Sequence, residues 1–309
     1  MSISIETKKF TEFDAISVAP DDAVLLVRTN SGVKKITVAD FRSDFAAAYD
    51  IVDRVYKGAD LTVKFADEIA NFTDAWAWFQ ARLDADNLEG IHVKDYIPFS
   101  VSGENHKARI AGIDTFHKTG STEVGHHVDF ISEDCYGTTH RYNATNTNQG
   151  NATTGSPFKA SELYSWLNST VYNALPAELK AVIKEKYLYY PLRYTSGSNL
   201  TDDNSWEFGS FGKLWLPLEG EIFDTPQWST KGYGNPYATQ YPIFANDASA
   251  RIKGAGPGGS RAYWWTASAG SGGATTFVYV SADGGDSYSS GGASTAVSVP
   301  ICFRLIKAA

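Results

Sequence analysis

Cysteine, long apolar runs and positive charge are all scarce in this chain, and each shortage removes a class of protein. Cys135 and Cys302 are the only cysteines in 309 residues. They are too few and too far apart for a disulfide framework or a cysteine-rich metal site, and each lies in an apolar context where a buried free thiol is expected. No apolar run approaches the roughly 18 residues that mark a membrane span. The opening MSISIETKKF has no apolar signal core, so the sequence predicts a chain that is soluble where it is made. Lys and Arg number 27 against 35 Asp and Glu, a net charge of −8. That balance leaves no basic footprint for nucleic acid or an anionic membrane.

Catalytic signatures are missing too. There is neither a Gly-x-Ser-x-Gly elbow nor a His-Glu-x-x-His helix, and no spacing of carboxylates singles out an acid/base pair. The run Gly254-Ala-Gly256-Pro-Gly-Gly259 has the glycine spacing of a dinucleotide fingerprint. It leads through Ser260-Arg261 into Tyr-Trp-Trp instead of joining a strand to a helix, so it reads as a glycine-rich loop. His126-His127-x-Asp129, with His117 and Glu133 nearby, is the best metal candidate. His127 and Asp129 share a strand face, but two ligands of mixed type fall short of a transition-metal site, and a half-buried strand with satisfied polar groups is the expectation. The sequence predicts no catalysis, no cofactor and no metal.

What is abundant is aromatic: 8 Trp, 17 Tyr and 17 Phe, which favours a β-rich, surface-displaying architecture. The segment from Ala262 to Phe303 contains no Lys, Arg or Glu. Trp264 and Trp265 and the β-prone runs Phe277 to Val280 and Val297 to Phe303 frame tracts of Ser, Gly, Ala, Asp, Thr and Tyr. Tyr gives contact area at low entropic cost and Ser and Gly give adaptable hydrogen bonding, as in antibody binding loops. The other reading of such a tract is a flexible linker. The apolar run that follows, Val-Ser-Val-Pro-Ile-Cys-Phe-Arg-Leu-Ile, has to be buried, so the tract is pinned at both ends.

Residues 1–50 read as a hairpin, Ala23 to Arg28 and Val33 to Val38 about a Thr-Asn-Ser-Gly turn, followed by a short helix from Ala39 to Tyr49. So small a unit is marginal alone and calls for identical neighbours or a larger assembly. Residues 51–90 read as a helical connector in which Phe72, Ala75, Trp76, Phe79 and Leu83 recur at helical spacing, as an oligomer seam or as packing onto the next domain. From residue 91 the chain turns β-rich, with strands at Ile91 to Val101, Ala108 to Thr115 and His127 to Ser132. Helices are expected at Ala160 to Asn168 and Ala177 to Lys186, followed by long loops. The fold class is α+β with long displayed loops.

Trp264-Trp265-Thr-Ala-Ser-Ala, Phe277-Val-Tyr-Val-Ser-Ala-Asp-Gly284 and Val297-Ser-Val-Pro-Ile-Cys-Phe-Arg-Leu-Ile306 resemble the closing part of C-type-lectin-like domains in phage and bacterial proteins. Gly112-Ile-Asp-Thr115, Gly125 to Ser132, Ser156-Pro157 and Trp166-Leu167-Asn168 extend the resemblance to roughly residues 91–306, which implies a receptor-binding head domain over residues 91–309. The segment AVLLVRTNSGVKKITVADF resembles the virion-attachment pieces of phage fibre proteins. The tract Ser281 to Ala296 uses only residue types that retroelement-driven diversification produces from Asn codons, as in variable proteins of the major tropism determinant type, although no Asn survives in it. The calcium-lectin signatures Glu-Pro-Asn, Gln-Pro-Asp and Trp-Asn-Asp are absent. The resemblance implies a tail or head fibre adhesin on the virion surface, a homotrimer made in the bacterial host cytoplasm. It would bind other virion proteins through its N-terminus and a host-surface protein or glycan through Ser271, Thr275, Tyr279, Asp286, Ser287, Tyr288, Ser289 and Ser290, with Trp264 and Trp265 as structural anchors. The alternatives are an enzyme on the same scaffold, similar to the formylglycine-generating enzymes, and a capsid decoration protein without a receptor role.

Overall fold

The computed structural model describes residues 24–29, 32–37, 56–116, 124–150, 155–192, 194–196, 199–201, 206–226, 228–229, 239–245, 247–270, 274–285 and 291–308. The chain divides into two compact units, Met1–Tyr56 and Lys57–Ala309. In the first, β1 (Val24–Thr29) and β2 (Gly32–Thr37) form an antiparallel hairpin with Thr29 opposite Gly32. Val, Leu, Ile and Thr make up five of the six residues of β1 and three of the six of β2, which suits a pleated surface. The expected helix Ala39 to Tyr49 lies outside the described residues.

The second unit is sheet-dominated, with helices against the sheet. Its strands begin with β3 (Tyr96–Val101), β4 (Glu104–Ile113) and β5 (His127–His140). Next come β6 (Tyr187–Pro191), β7 (Tyr194–Ser196), β8 (Asn199–Thr201), β9 (Trp206–Ser210), β10 (Leu214–Trp215), β11 (Lys253–Gly254) and β12 (Arg261–Ala262). β13 (Trp264–Ala269), β14 (Thr276–Val280), β15 (Gly291–Gly292) and β16 (Val297–Ile306) complete the set. The main sheet runs β15-β14-β13-β16-β5-β4-β3, with β10 also paired to β16. β6 pairs β9, β7 pairs β8 and β11 pairs β12 in separate two-stranded ribbons, and the glycine-rich loop 255–260 closes the β11–β12 ribbon.

β16 is the strand on which the sheet is assembled. Its residues are buried from Ser298 to Leu305, so it reads as a continuous apolar run instead of an alternating one. It pairs antiparallel with β5 from Val297↔His140 to Ile306↔His127, antiparallel with β10 at Leu214↔Phe303, and parallel with β13 at Trp264↔Ser298. A proline in so central a strand removes a ladder hydrogen bond. The register shifts between Pro300 and Cys302, and the Ile301 N–H donates to Ser132 Oγ at 2.9 Å, so that the neighbouring donor keeps a partner where the ladder is broken.

β3 and β4 are joined through Ser102 and Gly103, both left-handed at φ 50° and 82°. Two consecutive positive φ values are what a two-residue type I′ hairpin turn requires. β4 therefore starts at Glu104, ahead of the strand expected from Ala108.

Of the connector expected over residues 51–90, residues 57–90 lie inside this unit. Asp74 caps the helix Ala75–Asp84, its Oδ1 accepting from the backbone N–H of Trp76 and Ala77 at 2.8 Å each. Trp76 meets Phe130 and Phe303 edge-on at 5.6 Å, which seats the helix on β5 and β16. Trp78 is fully buried on the other flank against Phe65, whereas Phe72, counted in the sequence stripe, precedes the helix and is exposed. A second helical run begins at Glu162–Trp166, capped by Ser161, and passes through a π turn at Leu167–Val171 to Tyr172–Ala174. Within the π turn, Asn168 Oδ1 accepts from the N–H of Lys213 and Leu214 while its Nδ2 donates to the Leu214 carbonyl, tying β10 down as a strand neighbour would. The following helix is Ala177–Val182, shorter than the sequence suggested.

Candidate ligand-binding face

Adjacent residues of a strand point to opposite faces, and β13 uses this to bury two tryptophans in two places. Trp264 faces one side, where its indole N–H donates to the Arg251 carbonyl at 2.8 Å and Lys253 Nζ lies 5.5 Å from its ring centroid. Trp265 faces the other side and donates to the His140 carbonyl at 3.0 Å. Both are fully buried, the structural part the sequence assigned them.

The Trp265 side carries a row of aromatics that climbs from the core to solvent. Tyr142 stacks on Phe277 at 3.4 Å and 2°, and meets Trp265 edge-on at 5.1 Å. Trp265 meets Tyr279 at 5.8 Å, and Tyr279 meets Tyr263 edge-on at 5.1 Å. Tyr142, Phe277 and Trp265 are buried, Tyr279 is half-buried, and Tyr263 is 49 % exposed. The buried Tyr142 hydroxyl donates to the Thr266 carbonyl, and burial pushes its pKa well above the usual tyrosine value. Rings held by such stacked and edge-on contacts form a rigid base beneath the outermost one.

Of the predicted contact residues, Tyr279 lies on β14 in this row. Thr275 is exposed just before β14, where its carbonyl accepts from the Ala293 N–H at 2.8 Å. Ser271, Asp286, Ser287, Tyr288, Ser289 and Ser290 lie outside the described residues. Sequence reading passed over Tyr263. The available signal was spacing: two residues before Trp265 and just ahead of β13, it is the next ring outward.

The tract between β14 and β16 is anchored at both ends. After Val280, Ser281 to Gly285 make a tight turn in which Ser281 N–H donates to the Gly285 carbonyl at 3.0 Å. Gly284 sits at φ 84°, and a Cβ there would come within 2.8 Å of the Ala248 carbonyl oxygen, so both the conformation and the space demand glycine. Asp283 accepts from Ser281 Oγ and from the Gly285 N–H, contacts that lower its pKa. At the far end Gly291 pairs with Phe277 and Gly292 with Thr276, and Asn143 N–H donates to the Ala293 carbonyl.

The metal candidate is occupied by other chemistry. His127 and Asp129 are buried, and Asp129 receives Arg304 Nε and Nη2 at 2.7 Å each and the Tyr241 hydroxyl at 2.8 Å. Burial alone would raise the Asp129 pKa. The Arg304 guanidinium outweighs it and holds the carboxyl down to about 2. His127 Nδ1 donates to the Gly125 carbonyl at 2.7 Å, which leaves Nε2 to accept from the Phe116 N–H at 3.3 Å. Burial, helped by Arg304, pushes its pKa down to about 4, so the ring is neutral near pH 7. Glu133 is held by Lys107 and Arg109 at 2.8 and 2.5 Å, and His117 lies outside the described residues. Among the described residues no three His, Cys, Asp or Glu side chains gather as metal ligands.

A family profile described as Domain of unknown function (DUF6273) matches residues 131–306, a span that runs from the middle of β5 to the end of β16 and takes in the whole aromatic row. No curated protein and no solved structure matches the chain.

Proposed function

The chain belongs to that family, whose description names no activity, and we propose from the face itself that it is a phage structural adhesin with a C-type-lectin-like head. In this reading the head binds a host-surface protein or glycan. The observation that carries it is the graded aromatic row: an exposed Tyr263 braced by Tyr279 over buried Trp265 and Phe277, beside a tract free of Lys, Arg and Glu. A rigid aromatic anchor next to small polar residues is how paratopes keep the entropic cost of binding low.

Thr275 and Tyr279, with Ser271, Asp286, Ser287, Tyr288, Ser289 and Ser290, supply the contacts. Each site is weak, and copies presented together on a virion as a homotrimer raise avidity without new contacts. An enzyme of the formylglycine-generating type would need a reactive thiol. Cys135 and Cys302 are both fully buried, and burial pushes the Cys135 pKa up to about 12 and the Cys302 pKa higher still, which removes thiolate at neutral pH.

The test is attachment of labelled full-length protein to a panel of bacterial cells. Tyr288→Ala and Tyr263→Ala should each weaken attachment more than about tenfold with the fold intact, since interface tyrosines are frequent hot spots. Attachment that survives both substitutions, or no attachment to any cell type, overturns the reading.

A further inference from the structure

A second surface of the unit formed by residues 57–309 has the makings of a binding site of its own. The end of the helix Ala75–Asp84, the end of the helix Ala177–Val182 with Lys184 to Tyr187, and the segment Ile306 to Ala308 enclose a groove of about 590 Å³. That volume is within the range of about 300–1,000 Å³ typical of small-molecule clefts. The walls are tied together. Gln80 Nε2 donates to Asp84 Oδ1 at 2.7 Å and to the Ile306 carbonyl at 3.0 Å, the Ala308 N–H donates to Asp84 Oδ1 at 2.7 Å, and Lys307 pairs with Asp86. The groove therefore exists before any ligand arrives.

Its chemistry is mixed in a particular way. Tyr187 lays a 42 % exposed ring at the rim, and Val182, Ala181 and Ile306 give an apolar strip. Asp84 and Glu185 are balanced by Lys184 and Lys307, so the lining carries no net charge and gives no advantage to a charged ligand. Gln80 Oε1 is a buried acceptor with no donor among the described residues. Much of the backbone around the groove is already committed. Lys184 N–H goes to the Arg304 carbonyl, Lys307 N–H to the His126 carbonyl, the Ile306 carbonyl to Gln80, and the Tyr187 carbonyl to Arg304 Nη1. An extended peptide adds itself to a strand edge through free main-chain groups, and these four are spent. What remains is an aromatic ring, an apolar strip and side chains that both donate and accept.

We propose that this groove binds an uncharged saccharide unit, its C–H face on Tyr187 and its hydroxyls shared among Asp84, Glu185 and Lys184. The site is built by elements other than β13–β15 and does not rest on the adhesin reading.

The test is saturation-transfer NMR on the full chain with a panel of methyl glycosides of neutral hexoses and N-acetylhexosamines. At least one glycoside should show transfer to its ring C–H protons. Tyr187→Ala should weaken binding at least about tenfold, whereas Tyr187→Phe, which keeps the ring, and Tyr263→Ala should leave it unchanged. The melting temperature of each variant controls for folding. The Tyr187 ring meets Phe208 only at 6.2 Å and its hydroxyl reaches Glu185 at 3.4 Å, so little packing is lost. No transfer to any glycoside, or equal transfer in a folded Tyr187→Ala variant, overturns the proposal. Loss of cell attachment in Tyr263→Ala alongside retained glycoside binding separates this site from the aromatic face.

Discussion

Tyr263 and Trp265 stand two residues apart in one aromatic row, yet truncating them should have opposite consequences. Trp265→Ala empties a fully buried site, removes contacts to Tyr142 and Tyr279, and strips the His140 carbonyl of its donor. Urea denaturation should show a loss of about 3–5 kcal/mol. Tyr263→Ala removes a ring that is half in solvent, and the same measurement should show no more than about 0.5 kcal/mol. The buried ionisable groups set the acid response. His127 has its pKa lowered from 6.5 to about 4, so between those values the unfolded chain binds the proton that the folded chain refuses, and stability falls as pH drops through that window. Asp129, depressed from 3.8 to about 2, contributes stability above its unfolded value that is lost as pH falls from about 4 towards 2. Melting temperature against pH should thus decline in two stages, and His127→Gln should flatten the first. The sequence placed His127 and Asp129 on a shared strand face. It could not show that the partner of Asp129 is Arg304, because no local spacing encodes a contact made across two strands far apart in the chain.

Single elements carry their own dependences. The helix Ala75–Asp84 is started by Asp74, whose carboxylate satisfies two of the orphan N–H groups of the first turn. Asp74→Ala should cost about 1 kcal/mol in denaturant unfolding, and Asp74→Asn much less. The helical period of Trp76, Phe79 and Leu83 was legible, as was the apolar run of β16, because each is a repeating burial pattern. Trp78 was missed because that helix is covered on two flanks, which a one-stripe template does not anticipate. The early start of β4 was missed because its first residues, Glu104 and Asn105, are polar. The signal there was the Ser102-Gly103 pair. The π turn at Leu167–Val171 left no mark either, since its cause is Asn168 reaching across to β10. On the aromatic face the composition of the tract was visible, while Tyr142 and Tyr263 became members of the row only through the pairing of β13 with β14 and the return of the chain at Tyr142.

Taken whole, the molecule should be held together by aromatic burial and the paired charges beneath the sheet. Chelator should leave the melting temperature unchanged, and a drop of many degrees would reveal a cation that the donor groups described above do not anticipate. Light scattering of the full-length chain at micromolar concentration should return an oligomer, with a trimer expected, and a monomer would count against the multivalent mechanism. The anchoring of the tract between β14 and β16 has a consequence for how such a protein can change. For a flexible loop with fixed ends the closure entropy grows only logarithmically with length, each doubling costing about 0.6 kcal/mol, and the chain is held at Gly285 on one side of Asp286 to Ser290 and at Gly291 on the other. Insertions there should be nearly free thermodynamically, so the segment can evolve in size as well as in sequence while β16 keeps its register.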